Sequence, residues 1–216
     1  MNIETEKYYS YLERLPKKGR HIIGFQEDDL IVVYQAYHEK TVEFAVKNQF
    51  LGGSRFSYNR MSWIKPNFLW MMYRCGWAKK ENQKRVIAIW IKKTDFENNL
   101  KLAVFSSFNP KIYENEDDWK TQLLNSNVRL QWDPDHDPFG NKLERKAIQI
   151  GLKGEALEKF GKEQIVKIED ITDFVVDQSA FVNENLNENL KVPKETIFKP
   201  NNDEVCLRIG ISKNEN

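Results

Sequence analysis

Four polar residues that could bind an anion lie within fifteen positions of one another: Arg60, Ser62, Lys65 and Arg74. An arginine guanidinium can bind a phosphate through two parallel hydrogen bonds, and a lysine ammonium supplies a mobile point charge. A helix that begins at Pro66 would direct free N–H groups and the positive end of its dipole toward this segment. The pattern predicts an anion-binding site. The alternative is that Arg60 and Arg74 form ion pairs with acidic residues elsewhere.

The same part of the chain is strongly basic. Residues 55–85 contain eight lysine or arginine residues and one acidic residue, a net charge of +7, so the rest of the chain carries −6 of the overall +1. Seven aromatic residues are interleaved with these cations. Cations and aromatic rings together are the usual means of binding single-stranded nucleic acids and nucleotides. The segment therefore predicts an anionic partner, and the alternative is a solvated basic loop beside a buried helix.

Other candidates lie at the ends of predicted strands. A β-branched run at 30–34 predicts a buried strand, and Tyr34, Gln35 and Tyr37 lie at its end, before a predicted helix over 38–50. Such side chains either form a site or close off the core. Glu163 lies just before a predicted strand at 165–168 and could be a catalytic carboxylate or an ordinary surface residue.

Residues 133–140 are acidic and rich in turn-forming residues. Asp133, Asp135, His136 and Asp137 carry ligand types that suit a hard or borderline cation. Two prolines and a glycine in the same eight residues favour an acidic turn instead. We predict no metal site here.

Several common mechanisms lack their motifs in this sequence. It has no phosphate-binding glycine loop, no Cys-x-x-Cys pair and no Gly-x-Ser-x-Gly elbow. The two cysteines, Cys75 and Cys206, are far apart, and the acidic start of the chain is unlike a signal peptide. No apolar run approaches the length of a membrane span. We expect a cytoplasmic protein with reduced cysteines and no membrane contact.

The pattern of elements predicts an α+β fold. A chain of 216 residues suits a single domain over 1–216 with a full core. The strongest predicted strand is 86–91, and the helix starting at Pro66 is apolar on every face and must be buried. Further strands are predicted at 128–132, 147–152 and 207–211, and a tandem Asn-Glu-Asn-Leu repeat predicts a polar loop over 183–204. Helices and strands do not alternate regularly, which favours a mixed or antiparallel central sheet with flanking helices.

Four segments together resemble one known family. They are Tyr34-Gln35-Ala36-Tyr37, the run RMSWIKPNFLWMMYR from Arg60 to Arg74, Gln131-Trp132-Asp133-Pro134, and Ile148-Gln149-Ile150-Gly151-Leu152. On these residues the chain is identified as a member of the domain-of-unknown-function family DUF4291, over roughly residues 15–180. The resemblance implies a full-length single domain and carries no activity with it.

The order of elements around Gln35 is also similar to that of ADP-ribosyltransferases. In that superfamily a strand ends in a His-Gly-Thr or Tyr-Arg-Gly motif, a helix closing on a glycine follows, a motif rich in Ser and Tyr precedes a second helix, and a late strand carries a glutamate. Gln35, Ser62 and Glu163 take these three places here. The chain departs from the pattern in having glutamine where His or Arg is usual, and in lacking Ser-Thr-Ser.

The second resemblance implies an ADP-ribosyltransferase-like fold and an enzyme that uses NAD to modify a nucleic acid or nucleotide. Under it, Glu163 would stabilise the oxocarbenium-like transition state, with Arg60 and Gln35 acting beside it. The residues that would bind NAD are Tyr34, Gln35, Tyr37, Arg60, Ser62, Trp63, Lys65 and Arg74. Two alternatives stay open: a non-catalytic RNA or single-stranded DNA binding module that uses residues 55–85, and a protein-interaction domain in which this segment is only core.

Overall fold

The computed structural model describes residues 2–184 and 188–211, which form helices and strands in mixed order. The helices are α1 Tyr8–Arg14, α2 Glu39–Asn48, α3 Phe68–Cys75, α4 Lys93–Leu102, α5 Glu116–Asn125, α6 Gly154–Lys159, α7 Thr172–Asn183 and α8 Asp203–Ile209. The strands are β1 Thr5–Lys7, β2 Gly19–Arg20, β3 Ile22–Gly24, β4 Gln26–Glu27, β5 Leu30–Tyr37, β6 Ser62–Ile64, β7 Arg85–Lys92, β8 Val104–Phe105, β9 Val128–His136, β10 Lys142–Leu152, β11 Ile165–Asp170, β12 Lys191–Pro193 and β13 Thr196–Phe198. The predicted α+β class is confirmed.

Two larger sheets organise the molecule. One is antiparallel throughout, in the order β11-β7-β5-β4. The other is mixed, in the order β2-β10-β9-β8, with β6 also paired to β10. In this second sheet β10 is antiparallel to β9 and β6 but parallel to β2, and β8 runs parallel to β9. Two short antiparallel pairs, β1-β12 and β3-β13, tie later parts of the chain to its beginning.

The antiparallel sheet is buried on both faces. In β7, Ile87, Ile89 and Ile91 belong to one hydrophobic cluster, whereas Val86, Ala88 and Trp90 belong to a second. Alternate side chains of a strand point to opposite faces, so an apolar run without alternation requires a core on each side. The prediction of a central strand at 86–91 is therefore confirmed, since β7 lies between β11 and β5.

The short strand β6 connects the two sheets. Its Ile64 pairs with Ile150 of β10, and the next residue, Lys65, forms a bridge with Tyr34 of β5. Tyr34 donates its N–H to the Lys65 carbonyl at 2.7 Å, and Lys65 returns its own N–H to the Tyr34 carbonyl at 3.4 Å. The chain thus crosses from the mixed sheet to the antiparallel sheet between two consecutive residues, and it brings their edges together there.

Helix α3 begins at Phe68, two residues later than Pro66. Pro66 precedes an extended residue, Asn67, whose side chain accepts the Trp70 N–H at 2.7 Å and caps the helix. Gly76 ends the helix in the left-handed conformation, with φ at 59°, which glycine adopts without a steric penalty. Every side chain from Phe68 to Met72 is buried, as predicted for this helix, whereas Tyr73 is 38% exposed.

The prediction of a polar loop over 183–204 is wrong where the chain forms two short strands. Strands β12 and β13 lie within it and pair with β1 and β3. Leu190 and Val192 are fully buried, and Lys191 between them is exposed, which is the alternation of a half-buried strand. Residues 185–187, where the Asn-Glu-Asn-Leu repeats join, lie outside the described residues.

The predicted last strand at 207–211 is a helix instead. The Asn202 side chain accepts the N–H groups of Glu204 and Val205, and Gly210 ends the helix with a φ of 69°. Val205 and Ile209, four residues apart, are both buried, whereas Leu207 is 72% exposed. The apolar spacing that matters is therefore helical rather than alternating. In the described part of the chain, no helix is long and apolar enough to cross a bilayer.

Candidate functional site

A cavity of about 770 Å³ opens where β6 joins the two sheets. Its walls come from the end of β5, the segment 55–65, helix α3, and the paired strands β9 and β10. Of the nine residues that the sequence suggested for a site, seven line this cavity: Gln35, Tyr37, Arg60, Ser62, Trp63, Lys65 and Arg74. Residues 30 positions and more apart in the chain meet in this cavity. They do so because β6 pairs with β10 and the residue after β6, Lys65, pairs with β5.

Ser62 joins two side chains of β5 in one wall of the cavity. The Gln35 amide donates to the Ser62 hydroxyl at 2.7 Å, and the Tyr37 and Ser62 hydroxyls are hydrogen-bonded at 2.8 Å. Gln35 and Tyr37 are two residues apart on a strand and so share a face. Burial raises the pKa of Tyr37, so its hydroxyl keeps its proton at neutral pH. The buried Gln35 carbonyl oxygen has no partner among the described residues, which leaves an acceptor for a ligand.

A carboxylate that the sequence analysis placed in a turn forms the floor. Asp133 accepts an N–H from the Gln131 amide at 2.7 Å on one oxygen and from the Gln149 amide at 2.7 Å on the other. Gln131 and Gln149 face each other across β9 and β10, and Asp133 lies two residues further along the same face of β9. Two neutral amides therefore hold this carboxylate in one orientation. Because the amides are uncharged, they do not neutralise the negative charge of Asp133.

The prediction of an acidic turn at 133–140 is wrong for its first half. Strand β9 continues through His136, where Asp135 and His136 are buried. Asp135 forms a buried ion pair with Arg145 of β10 and is not free to bind a cation. The two prolines misled the prediction, since Pro134 lies within the strand next to an irregularity in the β9–β10 register. No group of three or more potential metal ligands occurs in the described residues.

Lys65 lies in the cavity wall as a buried amine. Lys65 is 6% exposed, and its Nζ donates a hydrogen bond to the Trp63 carbonyl at 2.9 Å. The pKa of Lys65 is lowered to about 7, mainly by burial and also by the charge of Arg74, although Cys75 and Asp133 act in the opposite direction. An amine with this pKa is about half uncharged at pH 7. Lys65 therefore differs from the permanently charged phosphate ligand that the sequence suggested.

The rim of the cavity is cationic. Arg55, Arg60 and Arg74 are exposed and line it, and none of the three forms an ion pair with a described residue. Arg74 lies over the Trp70 ring, 5.9 Å from its centre, which holds the guanidinium at the cavity's edge. Among the residues that the structure describes, Arg60 and Arg74 therefore do not form the ion pairs with acidic residues that were the alternative prediction. The three guanidinium groups are free to bind an anion.

The N-terminus of α3 does not form the anion cradle that the sequence predicted. The Phe68 N–H donates to a carboxyl oxygen of Glu195 at 2.7 Å, and the other Glu195 oxygen accepts from the Tyr11 hydroxyl and the Asn67 amide, each at 3.1 Å. Glu195 is 0% exposed, and burial raises its pKa to about 8. The protein's own carboxyl group therefore occupies the position where an external anion was expected.

Two predicted site residues lie outside the cavity lining. Tyr34 is 0% exposed in the second hydrophobic cluster, where its ring packs edge-on against Phe68, 5.5 Å between centres. It alternates with Gln35 along β5 and so faces away from the cavity. Glu163 is an exposed residue of a π-helical turn at Phe160–Gln164. Glu163 therefore cannot stabilise a transition state inside this cavity, and that predicted role would need another carboxylate that lines it.

Four further residues line the cavity but were not predicted as site residues: Gln131, Asp133, Gln149 and Arg55. The signal for the first two was present in β9, where Arg129, Gln131 and Asp133 alternate with the apolar Leu130 and Trp132. Polar residues on one face of a strand whose other face is apolar either face solvent or line a cavity. Only the pairing with β10 decides between these, because it places Gln149 opposite Gln131.

Comparison with known protein families finds the same family that the sequence motifs resembled. The model of a family described as "Domain of unknown function (DUF4291)" matches residues 21–198, which include every residue of the cavity described above. No curated protein matches the chain. The matched range covers most of the 216 residues, from before β3 to the end of β13. The chain therefore belongs to the DUF4291 family.

Proposed function

We propose that the cavity binds NAD and that the protein transfers the ADP-ribosyl group of NAD to a nucleic acid or nucleotide. The observation that carries the proposal is the Asp133 carboxylate, held by two glutamine amides on the floor of a cavity whose rim has three unpaired arginines. A cavity of about 770 Å³ falls within the range of small-molecule sites, roughly 300–1,000 Å³.

The carboxylate supports this chemistry for an electrostatic reason. Cleavage of the bond between nicotinamide and ribose develops positive charge on the ribose ring, as in other glycoside cleavages. A carboxylate that is already oriented stabilises that charge without reorganising during the reaction. We therefore assign to Asp133 the role that the sequence resemblance gave to Glu163.

The other residues supply recognition. Arg60 and Arg74, with Arg55, bind the pyrophosphate through paired hydrogen bonds. The Gln35 carbonyl oxygen accepts a hydrogen bond from the nicotinamide amide or a ribose hydroxyl, and Ser62 holds Gln35 in place at 2.7 Å. Trp63, which is half-buried in the cavity wall, offers a ring face to nicotinamide or adenine.

The proposal is tested by incubating the protein with NAD labelled in its adenosine part, together with RNA, single-stranded DNA or free nucleotides, and measuring nicotinamide release and transfer of label. Asp133→Asn is expected to lose about 100-fold or more of the rate, since one preorganised electrostatic contact is removed. Glu163→Gln is the matched control and should behave as wild type. Absence of nicotinamide release from the wild type with every acceptor, or equal rates for Asp133→Asn and wild type, would refute the proposal.

Non-catalytic binding of RNA or single-stranded DNA is the second candidate, and the free arginines at the rim favour it. The packing of the aromatic residues argues against it, since stacking on bases needs exposed rings. Segment 55–85 contains seven aromatic residues, and only Tyr73 among them is exposed. Under this candidate, affinity for an RNA oligonucleotide falls steeply with salt, and Arg60→Ala weakens it whereas Lys47→Ala on α2 does not. Salt-independent binding would exclude it.

A further inference from the structure

The backbone on both sides of Lys65 is held by the two sheets. The residue before it, Ile64, pairs with β10, and Lys65 itself exchanges hydrogen bonds with Tyr34 of β5. The base of the lysine side chain is therefore fixed, and the side chain extends along the cavity wall rather than into bulk water. An exposed lysine on a mobile loop has no such constraint.

The surroundings of Lys65 suit an amine better than an ammonium ion. An ammonium group carries three N–H donors, and Nζ of Lys65 has one protein acceptor among the described residues, the Trp63 carbonyl. No carboxylate of a described residue lies within ion-pair distance of it, although Asp133 is near enough for its charge to act on Lys65. The positive charge of Arg74 is close enough to act on Lys65 and disfavours a second positive charge there. Together these leave the nitrogen lone pair available at neutral pH.

A buried neutral amine that shares a cavity with an oriented carboxylate can react with a carbonyl carbon. We propose that Lys65 captures the aldehyde form of a ribose bound in the cavity and forms an imine with its anomeric carbon. The inference rests on the proposed function in one respect, which is that the ribose belongs to ADP-ribose, the product formed when water takes the place of nicotinamide in NAD. The adduct holds ADP-ribose in the cavity until water or an acceptor displaces it.

The step balances without any further reactant. The sugar ring opens to an aldehyde, and the Lys65 lone pair forms a C–N bond to the carbonyl carbon while one N–H proton passes through Asp133 to the carbonyl oxygen, which gives a carbinolamine. The second N–H proton then passes by the same route to the carbinolamine hydroxyl, the C–O bond breaks, and the hydroxyl leaves as water. A C=N bond remains, so one amine and one aldehyde have given one imine and one water. No electrons are gained or lost.

The experiment uses ADP-ribose itself as the probe. The full-length protein is incubated with ADP-ribose and sodium cyanoborohydride, which reduces an imine to a stable amine, and the adduct is located by peptide mass mapping. One ADP-ribose per chain is expected on Lys65, with labelling that rises as the pH increases through 7. Lys65→Arg and Lys65→Met should lose this adduct, and Lys84→Arg, at an exposed lysine, should keep it.

Mapping the wild-type protein does not depend on any variant being folded. Label spread over exposed lysines, with Lys65 unlabelled, would overturn the inference. Nicotinamide release from NAD is measured on the same preparation, so that the two proposals separate. Release without an adduct on Lys65 overturns the imine and leaves the transferase, whereas an adduct without release supports the imine and overturns the transferase.

Discussion

Replacing Glu195 with glutamine is expected to change how the free energy of unfolding depends on pH. Burial raises the pKa of Glu195 to about 8, although hydrogen bonds from Phe68 and Tyr11 act in the opposite direction. The ordinary value, which applies in the unfolded chain, is 4.5. Between these two pKa values the folded protein keeps a proton that the unfolded chain has released. Stability from this group is therefore complete below pH 4.5 and is lost as the pH rises through 8.

The size of the effect follows from the two pKa values. One pKa unit corresponds to about 1.36 kcal/mol, and integration from pH 5 to pH 7 gives a loss of about 2.5 kcal/mol from Glu195. Glutamine has no proton to release in this range, so Glu195→Gln avoids that loss. Its amide nitrogen would face the Asn67 amide, another donor, which lowers the stability of the variant at pH 5 by about 1–3 kcal/mol.

The measurement is urea denaturation of both proteins at pH 5, 6 and 7. The stability advantage of wild type over Glu195→Gln should shrink by about 2.5 kcal/mol across this range. All other titrating groups are common to both proteins and cancel in the difference. Glu43→Gln, at an exposed position on α2, serves as the matched control and should parallel wild type. A wild-type advantage that stays constant from pH 5 to pH 7 would refute the reasoning.

Three further predictions concern the cavity and the buried ion pair. Lys65→Met should raise the free energy of unfolding by up to about 4 kcal/mol at pH 7 and by less than about 1 kcal/mol at pH 10, because the unfolded lysine binds a proton that the folded one resists; urea denaturation with equal gains at both pH values would contradict this. Asp135→Ala should cost about 3–5 kcal/mol in the same assay, since Arg145 is 2% exposed and would keep its charge without a partner; a cost below about 1 kcal/mol would contradict it. Gly151→Ala would place a Cβ 2.7 Å from the Met61 sulfur in the cavity wall, so the melting-temperature rise expected from the proposed binding of NAD should shrink while the far-ultraviolet circular dichroism spectrum stays as in wild type; an unchanged rise would contradict it.

Much of the fold follows from local sequence pattern. The apolar runs that became β5 and β7 contain no polar interruption, and such runs are long enough for strands and too short for separate helices. Asn67 and Gly76 bound α3 as capping residues should. Patterns failed near the end of the chain. There the Asn- and Glu-rich composition suggested a loop, although Leu190 and Val192 are buried against the N-terminal part of the chain.

The site was only partly predictable for a related reason. Gln35 stood out because it lies at the end of a buried strand, and Ser62 and Lys65 because they lie in a basic segment before a predicted helix; all three line the cavity. Asp133 did not, because its position depends on two amides, one of them 16 residues away on a neighbouring strand. The occupation of the α3 N-terminus by Glu195, 127 residues from Phe68, likewise has no local signal. Sequence pattern reports burial and capping, and it does not report which distant side chain arrives.

The pairing of β1 with β12 has a consequence for how the chain folds during its synthesis. Thr5 lies opposite Pro193, and the Tyr8 N–H donates to the Leu190 carbonyl at 2.9 Å, so the first strand gains its partner only after residue 193 has been synthesised. Closing so long a loop adds little to its entropic cost, which grows only with the logarithm of length, but contacts so distant in sequence form slowly. As the chain leaves the ribosome, β1 and the residues that pack beneath it remain uncovered until β12 has been synthesised.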